Sequence, residues 1–255
     1  MKKLLLLSVW AALAFNSASA QTEGKFVKIS YLAYPISTHD TPPAGTQGFK
    51  EHSSVVSLAQ SYKHYYSLIV NTETNESIYK LDTLIVSNKP EGMEKHNYMI
   101  NNNLYYVVKN SSGNYFKYEK IFNREFYAEG KSNDIEWEIL SETKKISGMN
   151  CRKAVSKKKE FLVTIWYTED VPVAAGPVNF FGLPGLVVWS EDFSWTTELQ
   201  KIEFLPHFDF VSTENKLKAE FDSSKKGKTI DESLLLVKKA ELVKSMIESM
   251  KKAQN

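Results

Sequence analysis

The chain has 255 residues, of which 42% are hydrophobic and 13% aromatic, enough apolar material for a packed core and too much for a disordered chain. Its 32 basic residues nearly balance 30 acidic ones, and the formal charge of +2 falls to zero when Lys2 and Lys3 are removed with the export signal described next. A neutral chain gives no electrostatic reason to expect nucleic acid as a partner.

Residues 1–20 have the pattern of a cleavable export signal. Two lysines precede an apolar stretch, Leu4 to Phe15, and small residues follow at Ala18-Ser19-Ala20. The stretch is shorter than the ~20 apolar residues that a membrane-spanning helix needs, and no later segment is longer. We therefore expect an exported protein, periplasmic or associated with the outer membrane, with one β-rich mature domain over residues 21–255 and no transmembrane segment.

Most of the mature chain alternates apolar and polar residues with a period of two and is rich in β-branched and aromatic side chains, which indicates strands. The predicted strands are 25–34, 62–71, 83–87, 104–109, 115–128, 135–144, 149–156, 161–168, 186–190 and 195–204, with irregular stretches at 41–45 and 88–103. Short connections between them favour antiparallel neighbours. The sequence thus predicts a mainly antiparallel β (α+β) fold built on one large, curved, meandering sheet.

The strand that begins at residue 115 has rings on both faces. Tyr115, Lys117 and Glu119 share one face, and Phe116 and Tyr118 share the other. Both faces of this strand therefore carry aromatic rings.

The C-terminal residues 230–252 contain no proline or glycine and predict one amphipathic helix. Thr229 and Glu232 have the spacing of a capping box, and an apolar stripe follows at Leu236, Ala240, Val243, Ile247 and Met250. We expect this helix to cover one face of the sheet; the alternative is that its stripe serves a partner or a membrane surface.

The sequence contains no catalytic constellation. Its single cysteine, Cys151, cannot form an intramolecular disulfide, and its place in a predicted strand favours a buried thiol over a reactive one, a metal ligand or an intermolecular link. The five histidines are scattered without metal-ligand spacing, which favours isolated surface positions. We therefore predict no catalytic residues, no metal site and no cofactor.

The segment Gly176 to Leu186 combines glycines, prolines and large apolar residues. Gly182 and Gly185 permit positive φ or a close backbone approach, and prolines at 177 and 184 stiffen the chain. Two interpretations stay open, a structural corner packed on the sheet and a preformed lip for an apolar ligand. On the second, the candidate site comprises Gly182, Leu183, Pro184, Gly185, Leu186, Trp166, Tyr167 and Trp189.

The run Gly182-Leu183-Pro184-Gly185-Leu186-Val187 resembles the signature of the GLPGLI family of secreted bacterial proteins. The resemblance extends upstream to Trp137-Glu138-Ile139, Cys151-Arg152-Lys153-Ala154 and Trp166-Tyr167-Thr168. It implies an exported envelope protein without defined catalytic residues, linked to outer-membrane, TonB-dependent transport.

Together these features favour a non-enzymatic envelope protein, an accessory to outer-membrane transport or assembly that binds an apolar or peptide ligand or an outer-membrane or periplasmic protein. The alternatives are an envelope hydrolase whose acids or histidines converge only in the fold, and a purely structural envelope component. A cleft with two convergent ionisable groups is what the hydrolase would require.

Overall fold

The computed structural model describes residues 25–35, 62–86, 105–121, 124–157, 162–192, 195–225, 229–238, 241–242 and 245, and the statements below concern these residues. The predicted export signal and both predicted irregular stretches lie outside them. Within them the predicted fold class is confirmed, because twelve strands form one sheet that two helices accompany.

The strands are β1 (Phe26–Pro35), β2 (Tyr62–Asn71), β3 (Ser77–Val86), β4 (Tyr105–Lys109), β5 (Asn114–Ile121), β6 (Arg124–Lys131), β7 (Trp137–Ile146), β8 (Met149–Ser156), β9 (Thr164–Thr168), β10 (Leu186–Glu191), β11 (Trp195–Leu205) and β12 (Thr229–Asp231). The helices are α1 (Phe210–Ser224) and α2 (residues 232–238).

The sheet consists of two meanders joined along one line. Its strand order is β12-β6-β5-β4-β3-β2-β1-β11-β10-β9-β8-β7, so β1 to β6 form one meander and β7 to β11 the other. The two meet where β1 pairs with β11, from Phe26 opposite Leu205 to Pro35 opposite Trp195. Every neighbouring pair is antiparallel except β12 with β6, which is parallel. Consecutive strands within each meander are therefore the antiparallel neighbours that the sequence predicts, even where the connection is long, as between β1 and β2.

Two strand predictions differ from the structure. The predicted strand 115–128 is two strands, because β5 ends at Ile121 and β6 returns alongside it from Arg124. No glycine or proline marks this hairpin, and it is stabilised instead by ring contacts such as Tyr118 with Tyr127, whose centroids are 5.2 Å apart. The predicted strand 83–87 begins earlier, at Ser77, since its first residues pair with β4.

Helix α1 was not predicted from the sequence. Its apolar residues Phe210, Leu217 and Phe221 are too few for a clear stripe, but Asp209 caps it by accepting a hydrogen bond from the backbone N–H of Ser212 at 3.1 Å. Phe210 and Phe221 are buried against β1 and β4 to β6. Two helices therefore lie against the sheet, where the sequence predicts one.

Helix α2 begins at residue 232, within the predicted C-terminal helix, and its later positions lie mostly outside the described residues. The predicted capping box does not form as such, because Thr229 belongs to β12 and pairs with Tyr127 of β6. Leu235, which the predicted stripe omits, is fully buried against Ala128.

Apolar residues are buried on both faces of the sheet. On one face the odd-numbered residues of β1, such as Ile29 and Tyr31, pack with Phe181, which precedes β10, and with Leu186 at the start of β10. On the other face Phe26 packs under α1. The segment 171–185 and α1 therefore cover opposite faces of the sheet.

Candidate functional site

A large groove lies between the two helices and the hairpin β5–β6. It has a volume of about 890 Å³, within the range of ligand-binding clefts. Strands contribute Tyr115 and Gly130, α1 contributes Glu214 and Asn215, and α2 contributes Glu232. We refer to this space as the helix groove.

A buried ion pair beneath the helix groove joins strand β5 to the start of α2. Lys117 Nζ of β5 lies 2.6 Å from Glu232 Oε1 at the start of α2, and both side chains are at most 2% exposed. Glu119 Oε2 is 3.6 Å from the same ammonium group, and Asn179 Oδ1 is 3.5 Å away. One lysine therefore lies between two carboxylates in a region that excludes water.

Asn179 reaches this cluster from the glycine- and proline-rich segment. Its amide nitrogen donates to the Tyr115 hydroxyl at 3.1 Å, while its oxygen faces Lys117. The preceding residue, Val178, has a φ of 58°, a left-handed conformation that a β-branched residue rarely adopts. Backbone strain of this kind persists only where the surroundings hold it, and here it accompanies the placement of Asn179 in the charged cluster.

Two glycines, one of them in the groove lining, let neighbouring side chains pack directly against the backbone of the hairpins. A Cβ atom on Gly130 would lie 2.5 Å from the Tyr115 hydroxyl and 2.8 Å from Asp134 Oδ2. A Cβ atom on Gly113, whose φ is +83°, would lie 2.6 Å from Ser132 Oγ. Glycine at position 130 therefore brings the phenol and the Asp134 carboxylate to one point of the groove wall.

Burial and neighbouring negative charge raise the pKa of two groups in the groove, Tyr115 and Glu214. Burial, reinforced by the charge of Glu232, raises the pKa of Tyr115 well above its usual value, so the phenol stays neutral. Burial also raises the pKa of Glu214, and neighbouring Glu76 adds to the effect. The site thus presents a neutral hydroxyl at Tyr115 and an acid at Glu214 whose pKa is raised.

The segment from Gly182 to Leu186 packs mainly as a structural corner. Leu183 and Leu186 are buried, whereas Gly182 and Pro184 are exposed. Gly182 has a φ of +87°, and a Cβ on Gly185 would lie 2.1 Å from the Thr168 carbonyl oxygen. Both roles predicted for these glycines, positive φ and close approach, are confirmed, one at each position.

The three predicted aromatic residues do not all lie on one face of the sheet. Tyr167 is buried in the same cluster as Leu183, but Trp166 precedes it in β9 and points to the other side of the sheet. Trp166 pairs with Trp189, and Lys144 Nζ lies 4.1 Å from the Trp166 ring centroid. The structure therefore divides the predicted site residues between an inner cluster and an outer tryptophan pair.

The remaining sequence predictions concern Cys151 and the histidines. Cys151 is buried, as the packing interpretation requires, and burial raises the pKa of its thiol. His64 contradicts the prediction of surface histidines, because it is fully buried with its ring 5.0 Å from that of Trp195. His207 is exposed, and the other three histidines lie outside the described residues.

Two other kinds of feature are absent from the described residues. They contain no cluster of histidine, cysteine and carboxylate side chains that would hold a metal ion. Within the same ranges, neither helix has the length and apolar character that a membrane crossing requires.

Sequence reasoning missed the Lys117–Glu232 pair. A lysine and a glutamate separated by 115 positions carry no local signal of contact. The sequence shows only that Lys117 and Glu119 share a strand face with Tyr115, a pattern that is also usual for an exposed face.

Comparisons with solved structures give distant matches. Two structures of PNGF-II, in P21 and C2 space groups, align with 17% and 16% identity and a TM-score of 0.46 in each case, covering 74% and 84% of this chain. The alignments cover only 30% and 32% of the PNGF-II chains. An uncharacterized conserved protein from Thermus thermophilus aligns with 6% identity and a TM-score of 0.35, over 82% of this chain and 91% of that one. No curated protein matches the chain.

The family described as N-glycanase peptide, N-terminal domain, matches residues 62–191, from the start of β2 to the end of β10. This region includes β5 with Lys117 and the segment with Asn179. Because the match covers just over half of the 255 residues, the chain belongs to the N-glycanase peptide, N-terminal domain family.

Proposed function

We propose that this chain is a non-enzymatic binding protein of the cell envelope that takes its ligand or partner in the helix groove. The observation that carries the proposal is the groove itself, about 890 Å³ between α1, α2 and the hairpin β5–β6, on a floor fixed by a buried ion pair. A floor held by a buried ion pair suits binding, because little of it has to become ordered when the ligand arrives.

The family description is compatible with such a role. It names an N-terminal domain of an N-glycanase, and a domain attached to an enzyme contributes by binding or positioning as readily as by catalysis. Export to the envelope, association with outer-membrane transport or assembly, and membership of the GLPGLI family remain part of the proposal, supported by the sequence patterns at residues 1–20 and 182–187.

The test compares two neighbouring positions of α1. Asn215 is exposed and lines the helix groove, whereas the adjacent Lys216 is exposed and does not. We expect Asn215→Trp to fill the groove and abolish recovery of envelope proteins or peptides by the immobilised chain. Lys216→Trp, the matched control, retains recovery. Equal recovery by both variants would place the site elsewhere, and no recovery by the unsubstituted chain would end the proposal.

A hydrolase acting in the same groove is the second candidate. It is favoured by the convergence of Tyr115, Asp134 and Glu232 around Gly130 and α2. Against it, Lys117 neutralises Glu232, and the phenol of Tyr115 is held protonated. Incubation with a glycopeptide followed by mass spectrometry distinguishes the two, since a released glycan or cleaved peptide that disappears in Asn215→Trp would favour the hydrolase.

A further inference from the structure

Most of the charged side chains that line the helix groove are acidic. Five carboxylates face it, and these are Glu129, Asp134, Glu214, Asp231 and Glu232. Only two lysines line it, and one of them, Lys218, is bound at 2.5 Å to Asp222 outside the lining. A cleft lined by charges of one sign concentrates the field inside it and attracts groups of the opposite sign.

Most of these carboxylates have no salt-bridge partner among the described residues. Apart from Glu232, none of the five forms a salt bridge with a described residue; Asp134 instead accepts the backbone N–H of Lys131 at 2.7 Å. The charge of the lining is therefore available to a ligand.

The second observation concerns the far oxygen of Glu232. This residue is 2% exposed and its Oε1 is bound to Lys117; Oε2 has no hydrogen-bond partner of normal geometry among the described residues, although the Tyr115 hydroxyl interacts with the same carboxylate. An unsatisfied buried carboxylate oxygen is costly, roughly 1–3 kcal/mol or more for a charged group, so a donor that reaches it is favoured. Glu232 thus provides the deepest acceptor of the groove.

Apolar surface lies beside the carboxylates. Phe116 and Leu236 line the groove, and both are half-buried. The Phe116 ring already has a cation near it, with Lys218 Nζ 5.6 Å from its centroid. Such a surface accommodates the methylene stem of a long cationic side chain while its head group reaches the acids.

The arrangement argues against other ligand classes. An anion would face five carboxylates, and a divalent metal would need three or more ligands at one point, a cluster that the described residues do not contain. A neutral apolar ligand would leave the carboxylates desolvated without a partner.

We propose that the helix groove binds a cationic peptide side chain, the guanidinium of arginine or the ammonium of lysine, which donates to Glu232 Oε2 and lies among the rim carboxylates. This inference rests on the proposed binding function and specifies its ligand class.

The experiment titrates the signal-free chain with four capped tripeptides that differ only at the central residue: arginine, lysine, citrulline or glutamate. Citrulline keeps the shape of arginine without its charge. We expect arginine and lysine peptides to bind, the citrulline peptide to bind at least about tenfold more weakly, and the glutamate peptide not to bind, as measured by NMR shift changes. Raising the salt concentration should weaken binding of the arginine peptide.

The variants separate charge from folding. Glu214→Gln and Glu129→Gln remove rim charges without changing the buried pair. Each is expected to lower the affinity for the arginine peptide about two- to fivefold. Glu138→Gln, on the exposed edge strand β7 away from the groove, leaves binding unchanged. Glu232→Gln is expected to weaken binding at least about tenfold, provided that its circular dichroism spectrum remains that of a folded chain.

The outcomes distinguish the two proposals. If the citrulline or glutamate peptide binds as well as the arginine peptide, and Asn215→Trp still blocks binding, the cation proposal is wrong and the binding function stands. If calcium alone competes with the arginine peptide, the acids form a metal site and the cation proposal is also wrong. If no peptide binds and no envelope partner is recovered, both proposals fall.

Discussion

Substituting either partner of the buried ion pair should strongly destabilise the fold, and substituting the lysine should cost more than substituting the glutamate. Lys117 and Glu232 are 2.6 Å apart and almost fully buried. At an effective dielectric constant of about 20, two unit charges at that distance attract by about 6 kcal/mol, most of which offsets their loss of hydration. Removing one partner leaves the other charge buried, which typically costs about 3–5 kcal/mol.

The neighbours of the pair predict which variant is worse. Lys117→Met leaves both Glu119 and Glu232 without the ammonium group between them, so we expect a loss near 5 kcal/mol. Glu232→Gln leaves Lys117 with Glu119 at 3.6 Å and Asn179 at 3.5 Å, so we expect a loss near 3 kcal/mol. For a domain of this size, these losses correspond to falls in melting temperature of about 6–20 °C.

The assay is urea unfolding followed by circular dichroism, with an exposed ion pair as the matched control. Lys201 and Glu203 lie 2.7 Å apart, close to the distance of the buried pair, but on the surface of β11. Lys201→Met should leave the unfolding midpoint unchanged, because exposed pairs gain little over hydration. If Lys117→Met shifted the midpoint no further than Lys201→Met, burial would not be the source of the stabilisation, and the reasoning would be refuted.

Three further predictions follow from packing and burial. Gly185→Ala should cost about 3 kcal/mol, because its Cβ would lie 2.1 Å from the Thr168 carbonyl oxygen, whereas Gly182→Ala should cost only the ~1–2 kcal/mol of its positive φ; equal thermal shifts would contradict this. Since burial raises the pKa of Cys151, the thiol contributes stability that is complete below its unfolded pKa of about 8.5 and is lost as pH rises through the folded value; unfolding of Cys151→Ala should lack this alkaline decline relative to the unsubstituted chain. Phe221→Ala should cost about 3–5 kcal/mol in urea unfolding, and a loss below about 1 kcal/mol would show that α1 is not anchored by this ring.

The sheet could be predicted from the sequence because its signals are local. Period-two alternation gave β2 at its observed ends, Tyr62 and Asn71, and gave β8 from Met149 to Ser156. Where the turns are short, as between β4 and β5, they indicate which strands pair antiparallel; the pairs β1–β2, β3–β4 and β9–β10 are joined by longer segments. The hairpin between Ile121 and Arg124 was missed because its ends carry neither glycine nor proline.

Helix α1 and the start of α2 were harder to predict for a different reason. The apolar contacts of α1 depend on Phe210 and Phe221, eleven positions apart, so the helix is stabilised by packing on the sheet more than by its own pattern. At α2, the spacing of Thr229 and Glu232 suggested a local cap. The open edge of β6 instead paired with Thr229, and the buried lysine attracted Glu232. Tertiary partners decided both cases.

The candidate site was not predictable because its parts come from distant segments. Lys117 and Asn179 lie inside the region that matches the family, whereas Glu232 and both helices lie beyond residue 191. The family region therefore provides the strand floor and the rigid segment, but the walls of the helix groove and its deepest carboxylate come from the C-terminal part. Since Glu232 also compensates the buried charge of Lys117, the same contact that completes the groove fastens α2 to the sheet. We therefore expect the candidate groove to form only when the C-terminal part docks on the sheet.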